Sequence, residues 1–148
     1  MKYQSEIIID KPLEKVAELF DNPENMKVWQ PGLVSFETIE GEPGKEGAVS
    51  KLQYKMGKRE IEMKETILKR NLPHEFSGTY EAKGVFNIME NHFEKVDENK
   101  TRWLADVEFQ FDGFAMKVMA WMMPRAFRKQ TIKNMQNFKE FAESQPTT

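Results

Sequence analysis

The sequence predicts an α+β domain: a curved antiparallel sheet of seven strands, two short helices after the first strand, and a long C-terminal helix packed on the sheet. Three observations carry this. Residues 33–111 form six β-rich runs separated by short Gly, Pro and Asn turns. A further β-branched run, YQSEIIID at 3–10, precedes them. Residues 114–144 contain the one helical stretch long enough to cover the apolar face of such a sheet.

The elements follow in order. YQSEIIID reads as a strand. Asp10 or Lys11 stands where a helix cap belongs, Pro12 suits a first turn, and Val16, Leu19 and Phe20 share one helical face. NPENMKVW is a second short helix, capped by Asn22 and ended by Gln30-Pro31-Gly32. LVSFETIE, AVSKLQYKM, REIEMKETILK, EFSGTYEA, VFNIMENHFEKV and TRWLADVEFQF then follow as strands. Tight-turn signals stand at Gly57-Lys58, Lys83-Gly84 and residues 97–99. Short connections between neighbours imply a meander. Gly113 ends the sheet. Pro124 divides the helical remainder, so residues 114–122 are expected as a separate short helix ahead of the main one. Beyond Pro124, Phe127, Met135, Phe138 and Phe141 or Ala142 lie near one face, and Arg125, Lys129, Lys133 and Gln136 near the other.

Composition narrows the function. The 148 residues fit a single domain, 1–148. Cysteine is absent, which removes disulfides, thiolate metal sites and a cysteine nucleophile. The N-terminus has no apolar signal core, so a cytoplasmic protein is expected. A net charge of −2 and the lack of aromatics among the basic positions argue against nucleic acid. The longest uninterrupted apolar run, Val118 to Met123, is six residues, against about 20 for a transmembrane helix.

The order and spacing of these elements resemble the START-like (SRPBCC, helix-grip) superfamily, and within it the polyketide cyclase/dehydrase and lipid-transport branch. The likeness rests on IIIDKPLEKVAELFDNPENMKVW with Pro12, Val16, Leu19, Asp21 and Trp29, on ENKTRW at 98–103, and on PRAFRKQTIKNMQNFKEFAE. It covers essentially the whole chain. It implies a deep cavity between sheet and helix that holds an apolar ligand, and it transfers no catalytic residue.

Strand periodicity proposes the cavity wall. With Phe93 opposite Trp103, the residues Val85, Asn87, Met89 and Asn91 share a face with Ala105, Val107, Phe109 and Phe111. The same alternation turns Leu52, Tyr54 and Met56 inward, with Ile61, Met63, Glu65 and Ile67, and Phe76, Gly78, Tyr80 and Ala82. The candidate ligand-binding set is Trp29, Tyr54, Met63, Glu65, Tyr80, Asn87, Met89, Asn91, Trp103, Val107, Phe109, Met119, Met123 and Phe127. Glu65, Asn87 and Asn91 are polar groups in phase with apolar ones. Either they hold a ligand's polar group, or they pair with one another, with Arg128 or with backbone. Glu65 is the candidate proton-transfer residue, because burial raises a carboxyl's pKa. His74 is expected at an exposed strand start and His92 on the outward face; neither has triad or metal-ligand spacing. No metal and no cofactor are expected.

The segment FAMKVMAWMMPRAF, residues 114–127, has eleven apolar residues, four of them methionine. Core with cavity mouth, a homodimer interface and a weak membrane-surface contact all remain open for it. Residues 114–139 hold six basic side chains and no acidic one, so this segment carries +6 and the remainder −8. The simplest use of that charge is to meet the acidic sheet surface of Glu60, Glu62 and Glu108. A non-enzymatic binder or carrier of a hydrophobic small molecule or lipid is the preferred function. A cyclase/dehydratase-type enzyme and a chaperone-regulating interaction module are the alternatives.

Overall fold

The computed structural model describes residues 1–146. The elements run β1 (Lys2–Ile9), α1 (Leu13–Asp21), α2 (Pro23–Trp29), β2 (Leu33–Glu40), β3 (Val49–Met56), β4 (Arg59–Asn71), β5 (Glu75–Ala82), β6 (Val85–Asp97), β7 (Lys100–Phe111), α3 (Phe114–Met122) and α4 (Pro124–Ser144). One antiparallel sheet has the order β1-β7-β6-β5-β4-β3-β2. Strands β2 to β7 are sequence neighbours joined by short turns. β1 closes the far end by pairing with β7, Ile7 opposite Trp103 and Ser5 opposite Ala105. This is the expected α+β helix-grip architecture.

Register is what aims side chains at the site. Phe93 lies opposite Trp103, Asn91 opposite Ala105 and Asn87 opposite Phe109. The β6–β7 ladder is regular from Val85 to Lys95. The bulge in β4 falls between Ile67 and Lys69, beyond Glu65, so Glu65 stays in phase with its apolar neighbours. Two glycines are required by geometry. Gly57 (φ +64°) and Gly84 (φ +78°) adopt left-handed backbone in the β3–β4 and β5–β6 turns.

Helix ends follow local chemistry. Asn22 caps α2, its Oδ1 accepting from the Glu24 N–H at 3.0 Å. The α1 cap differs from expectation. Pro12, not Asp10 or Lys11, occupies the cap position, and no side chain bonds the first turn. Extended backbone at Pro12 carries the chain straight into the helix, while the Asp10 N–H is taken by Glu143 Oε2 at 2.8 Å. Gly113 and Pro124 separate α3 from α4 as predicted.

The core sits where α1, α2 and the C-terminal half of α4 meet β1, β6 and β7. Phe20 is its aromatic hub, with ring centroids 5.1 Å from Phe93, 5.5 Å from Trp103 and 5.7 Å from Phe138. Met135, Phe138 and Ala142 are buried on α4. Polar contacts then pin α4 to β1. The Tyr3 hydroxyl is 2.7 Å from Thr131 Oγ1, and Lys139 Nζ donates to the Ile8 carbonyl at 2.7 Å.

A candidate ligand cavity with a buried carboxyl

Between the concave sheet face and α2 and α4 lies a cavity of about 760 Å³. This is within the range of small-molecule sites, about 300–1,000 Å³. It exists because the C-terminal half of α4 fills the groove over β1 and β7, while the N-terminal half contributes only Ala126, Phe127, Gln130, Thr131 and Asn134 to the wall. Met56 and Met119 line it and are also exposed, which places the cavity mouth beside them.

The candidate residues divide clearly. Trp29, Tyr54, Met63, Glu65, Tyr80, Asn87, Met89, Asn91, Trp103 and Phe109 all line it. Met119 and Phe127 contribute from the helical side. Two candidates lie elsewhere. Val107 is buried in the solid core and packs among residues of that cluster, not on the cavity wall. Met123 is the residue between α3 and α4 and is exposed. Its backbone (φ −130°, ψ 52°) belongs to neither helix, so helical phase does not govern it.

The three in-phase polar residues are all buried. Two are satisfied by the protein. Asn91 Oδ1 accepts from the Trp103 indole N–H at 2.9 Å, and Asn87 Nδ2 donates to the Glu108 carbonyl at 3.0 Å. Arg128 takes no part; its guanidinium lies 6.0 Å from the Tyr3 ring centre. Glu65 is different. It is 3% exposed and accepts a hydrogen bond from the Tyr80 hydroxyl. Burial pushes its carboxyl above the usual carboxylate range, and the Tyr80 bond only partly opposes this. Burial, then the neighbouring Glu65 charge, pushes the Tyr54 and Tyr80 phenols up as well. The Tyr54 hydroxyl donates to Gln30 Oε1 at 2.6 Å. Beside this cluster, a Cβ at Gly78 would stand 3.1 Å from the Thr66 carbonyl oxygen, a tight approach that glycine avoids. Chemically, the cavity is an apolar space with one buried carboxyl and two phenols on its wall.

Other wall groups stand outside the candidate set. Phe20, Gln30, Thr38 and Ser50 all line the cavity. Ser50 sits opposite Glu65 in the β3–β4 register, and the period-2 alternation that selects Leu52 and Tyr54 also selects Ser50. Gln30 carried only a helix-stop signal.

The histidines lie as expected, His74 exposed and His92 on the outer face. That face also holds an unexpected grouping. Glu90, His92 and Asp106 bring potential ligand atoms within 4.8 Å of one another, because Glu90 and Asp106 are register partners. These side chains already serve neighbours: Gln4 Nε2 donates to Asp106 at 2.8 Å, and His92 lies 3.9 Å from Glu75. The grouping reads as sheet-surface electrostatics.

The sheet order and the cavity under the helix define a helix-grip domain. The family described as polyketide cyclase / dehydrase and lipid transport matches residues 1–143, and the chain belongs to it. Solved structures of similar shape include Ara h 8.0201, at 15% identity over 98% of this chain and 99% of that one, TM-score 0.78. The Zhui aromatase/cyclase from Streptomyces sp. R1128 is similar at 12% identity over 97% and 93%, TM-score 0.76. Norcoclaurine synthase from Thalictrum flavum, in complex with dopamine and hydroxybenzaldehyde, is similar at 12% over 100% and 89%, TM-score 0.74. At these identities the likeness is one of fold. No curated protein matches the sequence. No helix among the described residues is long and apolar enough to cross a membrane.

Proposed function

We propose that this protein binds a hydrophobic small molecule or lipid in the cavity between its sheet and α4, and carries it without chemical change. The observation that supports this is the cavity itself: about 760 Å³ of space, walled mainly by apolar side chains, Met and Phe the most frequent among them. Each buried methylene contributes about 0.8 kcal/mol. Ten offer roughly 8 kcal/mol before the cost of association, so apolar burial supplies the drive for binding and affinity grows with the length of chain buried. Native mass spectrometry and organic extraction of the purified protein test it, together with uptake of the neutral fluorophore N-phenyl-1-naphthylamine. A protein that is empty and takes up no dye overturns the reading.

One observation favours a cyclase- or dehydratase-type enzyme as a second reading. Glu65 stands beside Tyr80 on the cavity wall, burial pushes its carboxyl above the usual range, and in this reading its proton goes to a bound carbonyl. Incubation with a poly-β-ketone thioester tests this. Equal turnover by wild type and Glu65→Gln removes it.

Ligand exchange is assigned to the α3 face. No residue of α3 is buried, and Phe114 is 85% and Trp121 82% exposed beside the cavity mouth. The basic residues of this segment do not meet the acidic sheet surface. Glu62 pairs with Lys51 at 3.0 Å and Glu108 with Lys2 at 3.7 Å, and Lys117, Arg125, Lys129 and Lys133 are left exposed. Apolar side chains with basic flanks fit an anionic membrane surface. Flotation with phosphatidylserine vesicles should exceed that with phosphatidylcholine alone; equal flotation rejects the assignment.

A further inference from the structure

The charge on the cavity wall carries one more step, which rests on the binding reading above. Among the described residues that line the cavity there is no Lys, Arg or His. The acidic wall residues are Asp21, Glu24 and Glu65. Asp21 is held by the Arg70 guanidinium at 2.5 Å, and Glu24 lies at the surface, 3.5 Å from Lys27. Both cations are thereby committed to carboxylates of the protein. An anionic ligand would be desolvated here with no counter-charge, and in sight of a buried carboxyl.

A second, independent observation points to what the cavity does accept. The Glu65 carboxyl and the Tyr80 and Tyr54 side chains stand on its wall, groups that exchange hydrogen bonds with a neutral oxygen. Tyr80 and Glu65 bond each other, which leaves capacity on both.

We infer that the ligand is an uncharged amphiphile, an apolar body carrying a neutral oxygen function such as an alcohol or ketone, and that carboxylates such as free fatty acids are selected against. Selectivity is set by the lack of a cation among the described wall residues and by the Glu65–Tyr80 pair. A site built to hydrogen-bond a neutral oxygen discriminates strongly, because a wrong partner leaves its buried groups unpaired.

Competition against bound N-phenyl-1-naphthylamine at neutral pH tests this, with decan-1-ol, decanoate and decylamine as competitors of equal chain length. Decan-1-ol is expected to displace the dye at about tenfold lower concentration than either charged analogue. Met119→Lys places an ammonium on the exposed rim of the wall, where folding is not at risk, and should shift the ratio several-fold toward decanoate. Decanoate or decylamine competing as well as the alcohol overturns the inference and leaves the binding reading standing. An unchanged ratio in Met119→Lys likewise overturns it. Failure of the dye to bind at all is the separate result that removes the binding reading, and the inference with it.

Discussion

The Trp103 indole N–H donates to Asn91 Oδ1 at 2.9 Å, between a residue of β7 and a residue of β6, with both side chains buried. Each group removes the other's desolvation penalty. Asn91→Ala leaves the indole N–H buried and unpaired, and should destabilise the protein by about 1–3 kcal/mol. Urea denaturation monitored by tryptophan fluorescence checks this; an unchanged midpoint refutes it.

Glu65 should tie stability to pH. Its pKa in the folded protein is raised above the ordinary carboxylate value of 4.5. Between those two values the folded state therefore holds a proton that the unfolded chain has lost. Stability from this group is full below 4.5 and falls as pH rises toward the raised value. Glu65→Gln should flatten that part of the stability curve. A parallel curve for wild type and variant, measured by thermal melts across pH, contradicts the shift.

Phe20 touches five aromatic rings, those of Trp29, Phe76, Phe93, Trp103 and Phe138. Phe20→Ala should cost about 3 kcal/mol or more and join new void to the existing cavity. Its melting temperature should fall, while a bulkier apolar ligand should restore part of the loss.

Gly84 turns with φ +78°, and a Cβ there would stand 2.7 Å from Met116 Cγ and 3.0 Å from the Asp112 carbonyl. Gly84→Ala should cost about 1–3 kcal/mol, from backbone strain alone and before any clash. Gly44, with nothing within 4 Å, shares the positive φ (+80°) but not the contacts. Gly44→Ala should therefore be the milder of the two, as denaturant midpoints would reveal.

Trp121 is 82% exposed, so Trp121→Ser should change stability by no more than about 0.5 kcal/mol. It should nonetheless weaken association with anionic vesicles. A variant that melts early instead would show that Trp121 packs on the fold.

The sheet was readable because its code is local. Alternation of period two orients every strand, and the turn at residues 97–99 sets Phe93 against Trp103. Once that pair is placed, Glu65, Asn87 and Asn91 turn inward without further information. Periodicity names a face, however, and not where on that face the space opens. Val107 shares its face with Phe109, yet Val107 belongs to the buried core cluster while Phe109 lines the cavity. The Tyr54–Gln30 bond joins residues 24 apart through the docking of α2 on the sheet, and no local pattern contains it. Glu90 and Asp106 lie within the same register, on the outward face, where polar residues are ordinary and draw no notice.

Tethering of the helical layer is uneven along its length. Lys139 and Glu143 fasten the end of α4 to the Ile8–Asp10 segment, and Met135, Phe138 and Ala142 are buried there, whereas α3 buries nothing. Local opening is easiest where buried contacts are fewest. Amide exchange should accordingly be fast in α3 and slow near Phe138, and a guest could come and go through the loose end without disturbing the fastened one. Residence time and thermal tolerance then become separately adjustable properties of the same chain.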